Sequence, residues 1–197
     1  MLRAALLALS LALSAPQVSA DTLDDADNAY ERGNFDTAAK IFKELAEQGD
    51  PDAQTNLGFM YEEGQGVLQD YAEAVKWYRL AAEQDDVVAQ YNLGFMYEMG
   101  KGVLQDYAEA VKWYRLAADQ GDASAQTNLG FMYEDGQGVL QDNIKAHMWY
   151  NLAAANGYKN ADEWRDKLAA LMTATDIATA RAMAKECMNS GYTNCGD

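Results

Sequence analysis

Positive charge is scarce in this chain, which carries 15 lysines and arginines against 31 aspartates and glutamates, for a formal net charge of −16. That deficit excludes broad binding to nucleic acid and to anionic membrane surfaces, both of which repel an acidic protein. Two readings stay open: a solvated exterior, or a surface that prefers basic partners or divalent cations. Histidine occurs once, as His147, with no hydroxyl or thiol partner marked by the sequence, so no nucleophilic triad can be assembled. Cysteine occurs twice, as Cys187 and Cys195, eight residues apart near the C-terminus. A metal centre there would need further ligands close by. An even cysteine count in an exported chain reads instead as a disulfide. Closing so short a loop contributes about 2–3 kcal/mol on the chain-entropy estimate. Beyond position 20 no apolar run approaches the roughly 20 residues that a membrane-spanning helix requires.

Positions 1–20 read as a segment removed before folding. Arg3 supplies a positive start, Ala4 to Ala15 form an uncharged apolar run, and Val18, Ser19 and Ala20 make a small-residue pattern that a signal peptidase accepts. With Ser10, Ser14 and Pro16 at its far end, the run is too short for a retained anchor. The expectation is cleavage before Asp21, a periplasmic or secreted product with no stable membrane insertion, and residues 21–197 folding as one domain.

The middle of the chain is repetition. Three blocks of 36 residues occupy 51–86, 87–122 and 123–158, and the first two differ only at positions 51, 52, 55, 63, 65, 83 and 85 of the first block. Helical patterning at this period predicts a stacked solenoid, each unit burying its apolar face against its neighbours. In the first block Asp50 predicts an N-cap and Pro51 a first helical residue. Ala53, Asn56, Leu57, Met60 and Tyr61 form a helical stripe. Gly58 leaves room for a second helix, and Gly64-Gln65-Gly66 ends the first. Asp70 with Glu73 predicts a capping box for that second helix, whose stripe is Ala74, Trp77, Tyr78, Ala81 and Ala82. Gly121 and Gly157 close the matching helices further on. Asp85 takes that place in the first block, a less comfortable left-handed cap and a looser junction.

Residues 24–50 form a shortened unit. Tyr30 and Gly33 match Tyr61 and Gly64, while Phe35, Ala38, Phe42 and Ala46 match Tyr71, Ala74, Tyr78 and Ala82. After Tyr158 the pattern fades. Trp164, Leu168 and Leu171 mark one helix, and Thr173 with Asp176 starts another with the stripe Ile177, Ala180, Ala184 and Cys187. Residues 159–197 have the position and polarity of a capping element that shields the last apolar face.

The block pattern Ala53, Leu57, Gly58, Tyr61, Gly64, Gly66, Val67, Asp70, Ala74, Trp77, Tyr78, Ala81 and Ala82 recurs 36 and 72 positions on. It resembles the Sel-one-like repeat (SLR), a relative of the tetratricopeptide repeat (TPR). The resemblance covers residues 24–158. It implies an all-α, right-handed α-solenoid of stacked helix-turn-helix units with a C-terminal helical cap, used as a scaffold for protein assemblies and often exported. It does not imply one ligand. Some cysteine-rich relatives are linked to binding or turnover of β-lactams, but the repeats here contain no cysteine.

Catalytic motifs are missing. His147 falls at the second-helix position held by Val75 and Val111, which gives it a structural or surface role. Gly64-Gln65-Gly66 follows a helix and lacks the third glycine of a dinucleotide loop, so it reads as a turn. No Ser-x-x-Lys motif occurs. The acidic pairs Glu62-Glu63, Asp85-Asp86 and Glu134-Asp135 lack the ligand spacing of a calcium loop, and neither a metal nor a cofactor is expected.

Divergence among the blocks points to a surface instead. It concentrates at the second, fifth and thirteenth residues of the first helix: Asp52, Thr55 and Glu63; Val88, Tyr91 and Met99; Ser124, Thr127 and Asp135. By resemblance to TPR arrays these positions line the concave groove. The ninth residue shares that face and is always Phe (Phe59, Phe95, Phe131), and the twelfth is always Glu (Glu62, Glu98, Glu134). Such a ladder suits a peptide with apolar and basic side chains. The alternative is that each Phe packs against the first helix of the next repeat. The leading functional expectation is a non-catalytic exported adaptor that binds a protein or peptide. Self-assembly into envelope or extracellular fibres is the second, and a β-lactam-binding or hydrolysing relative the third.

Overall fold

Capping chemistry starts the helices where the sequence places them. The computed structural model describes residues 21–193 and Cys195, so the expected leader at 1–20 lies outside the described residues. Among these are ten helices and no strand: α1 Leu23–Glu31, α2 Phe35–Glu47, α3 Pro51–Glu63, α4 Tyr71–Ala82, α5 Val87–Met99, α6 Tyr107–Ala118, α7 Ala123–Asp135, α8 Asn143–Ala155, α9 Ala161–Ala169 and α10 Ala174–Asn189. None of them is long and apolar enough to cross a membrane. The Ala53 N–H donates to Asp50 Oδ1 at 2.9 Å, and Asp86 and Asp122 accept the same bond from Ala89 and Ala125.

The second helices start differently from expectation. Asp70 Oδ1 accepts from the N–H groups of both Ala72 and Glu73. The reciprocal half of a capping box cannot form, because the Asp70 N–H already donates to the Tyr61 carbonyl at 3.0 Å. Glu73 pairs with Lys76 instead. That Asp70–Tyr61 bond stitches the loop between α3 and α4, and it recurs from Asp106 to Tyr97 and from Asp142 to Tyr133.

Helices stack in chain order as hairpins. The rings of Tyr78, Tyr114 and Tyr150, with Leu57, Met60, Leu93, Met96, Leu129 and Met132, are fully buried. The buried set around Ala74, Tyr78 and Ala81 of α4 includes Ala89, Leu93 and Met96 of α5, so each repeat closes against the first helix of the next. The junctions carry a second layer of polar bonds. Gln54 Nε2 donates to the Ala46 carbonyl at 3.1 Å, Gln90 to Ala82 and Gln126 to Ala118. Their amide oxygens accept from Gln84, Gln120 and Asn156. Buried amides paired on both sides resist slippage of one hairpin on the next, since a slip would leave them unsatisfied.

The C-terminal segment covers the last repeat. Trp164 of α9 packs edge-on against Phe131 and at a tilt against Tyr158, while Ala180, Ala184 and Cys187 of α10 are buried in the cluster that holds α8. Leu171 departs from its expected place. Helix α9 stops at Ala169, and the following turn leaves Leu171 80% exposed while Met172 packs inward. Cys187 and Cys195 form a disulfide, which ties Cys195 to α10. There Arg115 Nη1 donates to the Cys195 carbonyl at 3.2 Å.

Candidate interaction groove

The first helices α1, α3 and α5 present side chains to a common hollow. One depression of about 460 Å³ is lined by Asp24 and Asp27 of α1, Asp52, Thr55 and Asn56 of α3, then Asp86 and Val88 at the start of α5. A smaller one of about 160 Å³ adjoins it, sharing Asp27 and Asn56, and is walled by Tyr30, Phe42, Phe59 and Met60. Together they form an apolar cup with an acidic rim. Burial, followed by repulsion from Asp50, Asp86 and Asp27, pushes the Asp52 carboxyl above the usual carboxylate range.

The residues singled out in the sequence divide into several environments. Asp52 and Val88 are exposed on the rim. Thr55 and Thr127 are buried, and their hydroxyls donate to Asp86 Oδ1 and to the Ala123 carbonyl, so they form floor rather than contact surface. Tyr91 and Ser124 are half-buried further along the face. Glu63, Met99 and Asp135, at the last positions of their helices, are exposed and line neither hollow.

The glutamates have a role inside the fold. The Tyr78 hydroxyl donates to Glu62 Oε2 at 3.0 Å, Tyr114 to Glu98 at 2.6 Å and Tyr150 to Glu134 at 2.6 Å. One oxygen of each carboxylate therefore ties the first helix of a repeat to the second. Burial together with the adjacent carboxylate drives all three phenols far above their ordinary ionisation range.

The phenylalanine ladder is graded rather than uniform. Phe131 lies under Trp164, ring centroids 4.9 Å apart, and against Tyr150 at 5.4 Å. Phe95 lies under the ammonium of Lys101, 5.0 Å from its ring centroid. Phe59 is 39% exposed and opens into the cup. The contribution of α1 was missed by the sequence reading. Aligning Tyr30 with Tyr61 sets Asp24 in register with Thr55, Tyr91 and Thr127, and that alignment was the available signal.

No constellation for covalent chemistry comes together around these hollows. His147 is fully buried within α8, and neither ring nitrogen has a hydrogen-bond partner. Burial, then the charges of Arg165 and Arg181, holds its pKa below the usual histidine value. Among the described residues, no group of three or more His, Cys, Asp or Glu side chains is placed to hold a metal ion.

Comparison with known proteins agrees with this architecture. The Sel1 repeat family model matches residues 51–86, 87–122 and 123–158. A Sel1 repeat protein from Oxalobacter formigenes superposes with a TM-score of 0.67 at 35% identity, over 71% of this chain and 55% of that one. A protective antigen present in uropathogenic Escherichia coli strains, displaying an SLR fold, superposes with a TM-score of 0.70 at 32% identity, over 88% of this chain and 39% of that one. The chain thus spans about half or less of the length of these solved relatives. A search of curated proteins finds no match.

Proposed function

The chain belongs to the Sel1 repeat family, and from that premise we propose that it is a non-catalytic, exported adaptor that binds another protein or peptide along the face of its first helices. The observation that carries this reading is the pair of adjoining hollows, where Asp52, Thr55, Phe59 and Val88 converge from successive repeats. Two of these, at the second position of the first helix, differ between neighbouring blocks whose packing stripes are identical, and both stand exposed. Variation at exposed positions of this face, while the packing stripe is kept, suits a binding surface. Export is supported by the Cys187–Cys195 disulfide, which persists in oxidising compartments.

The test is site-directed cross-linking. A photoreactive residue at Val88 should capture a discrete partner from the native envelope, whereas one at Lys112, exposed on α6, should not. Equal capture from both sites, or none from Val88, overturns the reading.

One observation favours a second reading, self-association. Leu68, Leu104 and Leu140 occupy the same loop position in the three repeats and are 90%, 90% and 91% exposed. An apolar row at repeat spacing suits side-by-side contact between copies. Light scattering across a concentration series, compared with Leu104→Glu, decides whether it holds copies together.

A further inference from the structure

Two of the three ladder phenylalanines are covered by the chain itself, and one cover shows what the face accepts. Lys101 lays its ammonium 5.0 Å from the Phe95 centroid and 5.3 Å from that of Tyr71, and pairs with Glu62 at 3.2 Å. A cation is thereby held between aromatic faces and a carboxylate, an arrangement that satisfies both charge and apolar stem. The equivalent of Lys101 in the preceding repeat is Gln65. It has no charge, and its amide oxygen accepts from the Tyr30 hydroxyl at 2.6 Å.

The first unit also departs from the repeat at the two positions that shape the cup. In register with Gly58, which lies under the Tyr78 ring, it has Asp27; in place of Tyr78 it has Phe42. Phe42 brings no hydroxyl, so the phenol–glutamate bond of the later repeats has no counterpart here. The outcome is an open aromatic cup with a carboxylate in its wall, next to Asp24, Asp52 and Asp86. The like charges of that rim repel one another, and a cation arriving from outside relieves this.

We propose that the Phe59 cup seats a lysine or arginine side chain from a basic segment of a partner protein. Its methylene stem lies on Phe59 and Tyr30 while its charge meets Asp27 and Asp52. The inference rests on the adaptor reading and names the chemistry of the partner at one end of the groove. It also states why the binding face is acidic there, where an acidic peptide or a phosphate group meets repulsion.

Fluorescence anisotropy with two labelled peptides tests it, one alternating lysine with leucine and one alternating glutamate with leucine. The lysine peptide should bind in a salt-dependent manner and the glutamate peptide should not. Asp27→Asn and Phe59→Ala should each weaken binding roughly tenfold. Glu109→Gln, on the outer helix α6, removes the same single charge and should leave binding unchanged. Asp27 is exposed, so its variant keeps the test valid even where Phe59→Ala fails to fold. Equal losses for Asp27→Asn and Glu109→Gln overturn the proposal by showing unspecific charge attraction. Binding of the glutamate peptide, or indifference to Asp27→Asn, overturns it too. In those cases cross-linking from Val88 still stands or falls by itself, so failure of the cationic site and failure of the adaptor reading are told apart.

Discussion

The ring of Tyr114 lies directly over Gly94, so close that a β-carbon on Gly94 would stand 2.7 Å from its Cδ1 and 2.8 Å from its Cε1. Alanine in a helix interior gains about 1 kcal/mol over glycine. Overpacking costs about 1–3 kcal/mol when the neighbour cannot move away. Tyr114 cannot, being fully buried with its hydroxyl held by Glu98. Gly94→Ala should therefore destabilise the protein by up to about 2 kcal/mol, seen as a lower urea midpoint. A higher midpoint would show that the ring has room to shift.

The same phenol makes the link between the helices of its repeat. Tyr114→Phe leaves Glu98 half-buried without that donor and should cost about 1–2 kcal/mol. Alkali gives a second readout. An unfolded tyrosine ionises near 10.0, but Tyr78, Tyr114 and Tyr150 are held protonated in the folded protein well above that value. Their contribution is complete below pH 10 and is lost as the pH rises, because the unfolded chain then releases protons that the folded chain keeps. Phenolate absorbance should show Tyr78, Tyr114 and Tyr150 titrating only with unfolding, and one such group fewer in the Tyr114→Phe variant.

Much of this fold is legible because it is periodic. Ala53, Leu57 and Met60 recur at helical spacing, and all three are fully buried. Gly58 stands out as small beside a packing stripe, and it does lie under a ring. What stayed hidden depends on registers between helices that local patterns do not encode. Glu62 reads as a surface acid until the hairpin closes and Tyr78, 16 residues on, reaches it. Gln54 lies outside the packing stripe and is buried only because the Ala46 carbonyl of the previous unit meets it. Leu171 has core chemistry, yet the turn after α9 faces it outward. The candidate groove was half visible for a similar reason. Divergence among the full blocks marked Asp52 and Val88, but Asp24 and Asp27 sit in the shortened unit, which only the alignment of Tyr30 with Tyr61 relates to the blocks.

His147 lies where the cap meets the last repeat, with Arg165 and Asp166 of α9 and Arg181 of α10 as its charged neighbours. Its pKa is depressed below 6.5, mainly by burial, so the neutral ring is the one that fits. Its stabilising contribution is present above 6.5, the unfolded value, and is lost as the pH falls below it toward the lower folded value. His147→Leu removes that linkage but keeps the apolar volume, as Val75 and Val111 do in the sister blocks. As the pH is lowered from 7.5 to 5, the urea midpoint of the histidine protein should fall relative to that of the His147→Leu variant. Parallel curves would place the histidine outside the acid response.

Asp85 shows that one junction is under strain that its sisters avoid. Its φ is +66°, in the left-handed region, and the residues that end the neighbouring second helices, Gly49, Gly121 and Gly157, have φ values of +97°, +90° and +86°. A side chain in that region costs about 1–2 kcal/mol, less for aspartate than for most residues. Glycine gives back about 0.4–1 kcal/mol through the freedom it adds to the unfolded chain. The left-handed cost is the larger of the two, and Asp85 also sits beside Asp86 in an already acidic protein. Asp85→Gly should raise stability by about 0.5–1 kcal/mol, whereas Asp85→Ala, which keeps a β-carbon and loses the tolerance of aspartate, should lower it. If the two substitutions shift the urea midpoint in the same direction, the effect is one of charge and not of backbone conformation.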